Sequence, residues 1–360
     1  MKLGLGLYRH MLTRDNFRFA RQAGATHIVA HLTDYFSKTP SLPSATGKGA
    51  EWGLAGDPTR IWSAEDLIDL RKAINAEGLE LAALENFDPA HWYDVLLDGP
   101  RRAEQIENIK TIVRNVGRAG IPVMGYNFSI AGVWGHVSGP WARGGAESVG
   151  FFGQDSPPET PIPAGMVWNM VYDPQQFDPE HPKGTLQVSA EQLWDRLRRF
   201  LDEVVPVAEE AGVMLALHPD DPPMPTLRGT ARLVYQPHLY QRVLDLKPSP
   251  ANGIECCLGT LQEMTEGDVY ALVDQYSREN KLGYIHFRNV KGKVPRYVEV
   301  FVDEGDLDMA RVLRILHRNG WDGALIPDHT PQMSCAAPWH AGMAYALGWM
   351  RAAIQIIERS

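Results

Sequence analysis

Cysteine is scarce in this 360-residue sequence: there are three, Cys335 and the adjacent pair Cys256 and Cys257, an odd set that excludes a small disulfide-stapled scaffold. Reduced thiols, and so a cytoplasmic location, are the expectation. No apolar run approaches the roughly 18 residues of a membrane span, and the opening MKLGLGLYRH has neither the apolar stretch nor the cleavage site of a secretion signal. Positive charge is also short. Thirty-five Lys and Arg against 44 Asp and Glu leave a formal net charge of -9, with no K/R-rich run. That excludes a nucleic acid or an anionic membrane as the expected partner, since either calls for a basic patch.

What is present is an ordinary soluble composition, 44% hydrophobic and 22% charged, able to bury a large core. Short apolar runs alternate with amphipathic segments of helical length, the pattern of a parallel sheet covered by helices. The runs include KLGLGLY (Lys2 to Tyr8), HIVAHL (His27 to Leu32), LELAALE (Leu79 to Glu85) and PVMGYNF (Pro122 to Phe128). Four more end at His218, Cys256/Cys257, His286 and Asp328. Thr13 and Ser63 read as helix N-caps, and Gly78 and Gly212 as helix stops. About eight strand-helix units predict one (β/α)8 TIM-barrel domain over residues 1–360. The pattern lapses over a Gly/Pro/Ser-rich loop from about Ser37 to Thr59, and again from Ser129 to about Gln187, after the fourth strand. The second lapse carries Trp134, Trp141 and Trp168 and is long enough to predict a lid over the barrel mouth or an oligomer contact.

The candidate chemistry gathers at the strand tips, where a closed parallel barrel places it. One buried histidine is usually part of a core, but four successive tips supplying His, Cys or Asp make a concurrence. His218, one of the two adjacent cysteines, His286 and Asp328 form a mixed nitrogen, sulfur and oxygen donor set suited to manganese, iron, zinc or cobalt. Adjacent residues of a strand face opposite ways, so only one cysteine can face the axis. His329, Glu85, Tyr126 and His340 are candidates for proton transfer, and Arg288 for gripping a carboxylate in two-pronged fashion. Tyr8, Tyr126, Asn127 and Trp134 are further candidates for contact with a small substrate. Asp220 and Asp221 either orient metal ligands or are merely solvated in their proline-rich loop.

Several motifs together resemble the mannonate dehydratase family. They are AxHPDDPP (Ala216 to Pro223), NGxxxCxGT (Asn252 to Thr260), YIHFR (Tyr284 to Arg288), GDxDM (Gly305 to Met309) and PDHxxQM (Pro327 to Met333). RQAGAT (Arg21 to Thr26), IKT at Ile109 and YNF (Tyr126 to Phe128) extend the resemblance over most of the chain. It implies a xylose-isomerase-like barrel that binds one manganese ion and dehydrates D-mannonate to 2-keto-3-deoxygluconate, a step of hexuronate catabolism. The implied metal ligands are His218, Cys257, His286 and Asp328, with His329 as the acid/base histidine. A small sugar acid is then the expected partner, and a homo-oligomer, dimer or tetramer, the expected assembly.

The chain departs from the family pattern at identifiable positions. Glu299 is kept, but Val298 and Val302 stand where histidines are expected, and Pro331 replaces another. His340, preceded by Trp339, stands near the place of the family's C-terminal tyrosine. These departures leave open a metal-dependent dehydratase, isomerase or epimerase for another sugar or sugar acid. They also leave open a non-catalytic sugar-acid binder holding a structural metal.

Overall fold

Glycine alternates with leucine in the first strand because the barrel interior has no room for larger residues there. A Cβ on Gly4 or Gly6 would come within 3.0 and 3.1 Å of the Ile326 side chain, which crosses from the last strand. The computed structural model describes residues 1–35, 53–178 and 186–359. Eight strands form the closed barrel: β1 (Lys2–Leu7), β2 (His27–His31), β3 (Glu80–Glu85), β4 (Val123–Tyr126), β5 (Met214–Leu217), β6 (Asn252–Cys257), β7 (Leu282–His286) and β8 (Ala324–Ile326). Every neighbour is parallel, and β1 closes on β8 with Lys2 opposite Ala324. This is the TIM barrel expected from the alternation.

Around it lie α1 (Arg14–Gln22), α2 (Ala64–Asn75), α3 (Arg102–Arg118), α4 (Ala190–Ala211), α5 (Leu239–Leu246), α6 (Val269–Arg278), α7 (Met309–Arg318) and α8 (Pro338–Ile357). The caps are where the sequence puts them. Thr13 accepts from the Asn16 amide, Ser63 from the Asp66 amide, and Ser189 forms a reciprocal capping box with Gln192. Gly212 ends α4 in the left-handed conformation at φ 66°. The closing helix starts at Pro338, because proline suits the first turn, where no amide donor is needed.

Two apolar layers result. Between strands and helices lies the large core, which includes Cys256, Tyr126 and Phe200. Inside the barrel, Val29, Ala83, Val123, Ala216, Tyr284, Ala324 and Ile326 pack together. Small residues dominate that inner layer, so polar side chains can sit above it at the C-terminal rim.

The stretch after β4 is not bare loop. Val137–Ala142 and Ala146–Phe151 form a hairpin, and the second strand pairs with Arg296–Val300, itself paired with Asn289–Lys293 after β7. The resulting four-stranded sheet joins two connections that both leave the C-terminal ends of barrel strands. Of the earlier Gly/Pro-rich loop, residues 37–52 lie outside the described residues; Gly53–Leu54 pairs with Met170–Val171.

Candidate active site

β6 carries the sequence Ile254-Glu255-Cys256-Cys257, and period-two alternation sorts its side chains. Cys256 packs into the helix-facing core, while Cys257 joins His218 and His286. The donor atoms of these three lie within 4.8 Å of one another, about twice the longest bond expected to a divalent ion of this class. Asp328 completes the group: its Oδ2 is 3.3 Å from His286 Nδ1. The backbone of Asp328 is left-handed at φ 60°, and so is that of Asn86 at φ 64°, a conformation costly for residues other than glycine and concentrated at functional sites.

The electrostatics suit a cation. Burial opposes ionisation of the Cys257 thiol, but the Arg288 charge and contacts from His218 and His286 outweigh it and hold the thiol well below its ordinary pKa. Cys256 feels mainly burial and is pushed up. For Asp328, the charges of His286, His329 and Arg288 overcome burial and keep the carboxyl well below the usual range. His286 Nδ1 is buried without a hydrogen-bond partner, while its Nε2 faces Glu85 Oε2 at 3.1 Å. A proton on Nε2 shared with Glu85 leaves the Nδ1 lone pair for a metal, the arrangement by which a carboxylate orients a ligating imidazole. The donor set therefore fits a divalent ion.

A cavity of about 220 Å³ stands over these groups, lined by Tyr8, His31, Tyr35, Glu85, Asn86, Asn127, Val133 and Trp168 as well as His218, His286, Asp328 and His329. Asn127 donates to Asn86 Oδ1 at 3.0 Å, and Asn86 donates to the Tyr35 hydroxyl at 3.0 Å. His329 is 45% exposed at its side chain, and its Nδ1 is 3.1 Å from Glu299 Oε1.

Several expected substrate contacts lie elsewhere. Tyr126 is fully buried and packs on Phe200 of α4, at 5.4 Å between centroids, because it points to the helix layer rather than the axis. Trp134 is buried beneath Arg228, whose guanidinium lies 4.2 Å from its ring. Trp168 takes its place at the cavity. A two-residue turn, with φ 50° at Trp168 and 56° at Asn169, reverses the short hairpin Met166–Val171 and sets the Trp168 ring 5.4 Å from Tyr35. His340 does not reach the site: it packs on Phe19 and its Nε2 is 3.2 Å from Asn16 Oδ1 on α1. As the third residue of α8, it faces a neighbouring helix.

Arg288 borders the cavity, yet its fork is engaged by the protein itself. Its Nη1 donates to Glu263 at 2.8 Å and Glu299 at 3.1 Å, and its Nη2 donates to Asp221 at 2.5 Å. Its Nε lies 3.3 Å from Asp328. It organises the site's carboxylates and has little left for a substrate's. Asp220 and Asp221 are buried, not solvated: Asp220 accepts from the amides of Leu233 and Val234, and Asp221 from Tyr297 as well as Arg288.

One buried carboxyl at the site was not among the candidates from the sequence. Glu255 lies two positions before Cys257 on the same face, is fully buried, and has both oxygens without a hydrogen-bond partner. Its Oε1 is 3.1 Å from His286 and 3.8 Å from His218. Burial and the Glu85 charge push it up to about 8. Gly125 makes room for it, since a Cβ there would collide with the Tyr284 hydroxyl and come 2.7 Å from Glu255 Oε2. The strand period that separates the two cysteines is the signal that puts it on this face.

The D-mannonate dehydratase (UxuA) family matches residues 16–155 and 162–352. The chain belongs to the D-mannonate dehydratase family. It is 34% identical over 277 residues to a mannonate dehydratase of Streptococcus pneumoniae, covering 75% of each chain. It is 30% identical over 303 residues to mannonate dehydratase 2 of Halalkalibacterium halodurans, covering 82% of this chain and 86% of that one. The solved mannonate dehydratase of Streptococcus suis superposes with a TM-score of 0.75 at 26% identity, covering 100% of this chain and 94% of that one. A xylose isomerase domain protein of Planctomyces limnophilus, at 13% identity and TM-score 0.55, shares the fold. This dehydratase is thus a hydro-lyase acting on a sugar acid, of a metal-dependent family, and no helix among its described residues is long and apolar enough to cross a membrane.

Proposed function

We propose that the protein dehydrates D-mannonate to 2-keto-3-deoxygluconate and water, using one divalent ion held by His218, Cys257, His286 and Asp328. The observation that carries this reading is the cluster of three donor atoms within 4.8 Å at the barrel rim, with Asp328 against one of them. Manganese is the first candidate; iron, zinc and cobalt suit the same donors. Bound there, the ion supplies Lewis-acid stabilisation of the negative charge that develops beside the substrate carboxylate.

The chain's own groups supply the proton transfers. Glu299 holds His329 Nδ1 at 3.1 Å, so Nε2 is the exchanging nitrogen; although burial opposes it, Asp328 and Glu299 push the imidazole up to about 10, so it is the minor, neutral form that takes the proton from C2. The hydroxyl leaving C3 needs a proton from a second group, and His340 is out of reach. Tyr8 fills that role in this scheme: it lines the cavity beside Asp328 and His329, and burial keeps its hydroxyl protonated. Val133 and Trp168 form an apolar wall that limits water at the reacting carbons. The test is turnover of D-mannonate by protein stripped of metal and reloaded with manganese. Product formed only after reloading supports the reading; a panel of other aldonates turned over in preference to D-mannonate would reassign the substrate.

A further inference from the structure

The chamber over the metal ligands is small, and a larger one adjoins it across shared side chains. Tyr8, Asp328 and His329 line both. The second chamber has a volume of about 610 Å³, against about 220 Å³ for the first. Its further walls come from four places: Ser138, Glu147 and Ser148 on the hairpin after β4, Glu299 after β7, Thr330 and Gln332 after β8, and Trp339 at the start of α8. The Gln332 amide donates to the Glu147 carbonyl at 2.8 Å, so two of these walls are bonded together.

The chemistry of the walls is that of a carbohydrate site. Hydroxyl, amide and carboxylate groups face the space along with one indole, and sugars present hydroxyls on their edges and C–H groups on their faces. Two of the hydroxyls point to a ligand more specifically. Ser148 is only 6% exposed and its Oγ has no hydrogen-bond partner; the buried Thr330 Oγ1 has none either. Buried hydroxyls without partners are destabilising, and a ligand that satisfies them relieves that cost. Thr330 Oγ1 packs closely on Gly342 of α8, where a Cβ would collide with it. Pro331 and Trp339, two positions where the chain departs from its family's pattern, lie in or next to this wall.

We propose that the second chamber is a glycosyl subsite, and that the enzyme dehydrates an aldonate carrying a sugar on the end of its chain remote from the carboxylate. This rests on the dehydratase reading, because the metal ligands must hold the carboxylate end in the small chamber. The hydroxyl carbons beyond C3 then point past His329 and Tyr8, where the appended ring meets Trp339, Ser148 and Thr330. The reaction is unchanged: a proton leaves C2, hydroxide leaves C3 with a second proton as water, and the glycosidic bond stays intact.

The experiment compares D-mannonate with mannobionate, made by oxidising 6-O-α-mannobiose at its reducing end so that the second sugar sits on the terminal C6, on the manganese-loaded enzyme. The expected result is a kcat/KM at least tenfold higher for mannobionate, with Ser148→Ala and Trp339→Ala each lowering that value tenfold while changing D-mannonate turnover less than twofold. If mannobionate alone is dehydrated, the subsite stands and the substrate of the preceding section is corrected. If D-mannonate is dehydrated and mannobionate is not, the subsite is overturned while the dehydratase reading holds. If neither is dehydrated, the reading beneath the proposal fails and takes the subsite with it.

Discussion

Glu255 Oε1 lies 3.1 Å from His286 Nε2, on the side of the imidazole opposite Asp328. Glu85 Oε2 is at the same distance from the same nitrogen. Two buried carboxylates thus converge on one ring whose other nitrogen has no hydrogen-bond partner. Both are placed to fix its orientation and tautomer from behind. Substituting Glu255→Gln keeps the shape but puts an amide, which cannot ionise, in place of a carboxyl that burial and Glu85 push up to about 8. Manganese affinity, measured by calorimetry, should fall about 10- to 100-fold, the usual cost of losing a group that orients a ligand. Unchanged affinity would assign Glu255 to packing alone.

The adjacent cysteines should separate cleanly. Cys257→Ala should abolish stoichiometric metal binding, while Cys256→Ala should keep it and cost roughly 1 kcal/mol of stability from a small core void. Metal analysis after dialysis and urea unfolding give the two readouts. The opposite pattern would mean that β6 is out of register by one residue.

Arg288 should matter to the fold as much as to the site. Replacing it with Met strips Asp221, Glu263 and Glu299 of their shared partner in a buried setting. Breaking such a network from one side costs about 3 to 5 kcal/mol. Chemical denaturation should show that loss, and Arg288→Lys should recover only part, because an ammonium cannot fork. A loss below about 1 kcal/mol for Arg288→Met would show that the network is dispensable.

Proton transfer gives the third contrast. His329→Ala and Tyr8→Phe should each lower kcat by about 10² to 10⁴. His340→Ala should leave kcat within a factor of two, since its partners are Phe19 and Asn16 on α1. A large kcat loss at His340 with normal stability would demand a different closed conformation.

How far the sequence could be read depends on whether a residue's direction follows from a local period. The barrel was legible because apolar runs and capped amphipathic segments repeat, and each needs only its own few residues to be recognised. Cys257 and Cys256 could be told apart in principle by alternation, and the same alternation puts Glu255 on the face of Cys257, although nothing local says that a buried glutamate belongs to the site. Tyr126 ends a strand too, but its ring faces outward to Phe200, a fact of register that depends on where β4 begins. Arg288 illustrates the opposite limit. Its carboxylate partners come from the loop after β5, a short helix after β6 and the hairpin after β7, so only the closed barrel reveals that its fork is filled. The hairpin Val137–Phe151 was illegible because its glycines and proline carry no strand period, and its pairing partner is 146 residues away at Tyr297. Trp168 was passed over for Trp134 because nothing local says which tryptophan a left-handed turn will turn inward.

In the proposed scheme, dehydration depends on one divalent ion held by His218, Cys257, His286 and Asp328. Titrating metal-free protein with manganese while following keto-acid product tests it most directly. Activity should rise from zero to a plateau at one ion per chain, with no rise for His218→Ala or Cys257→Ala at the same concentrations. Full activity in the metal-free protein, or an unchanged titration in the Cys257→Ala variant, would contradict it.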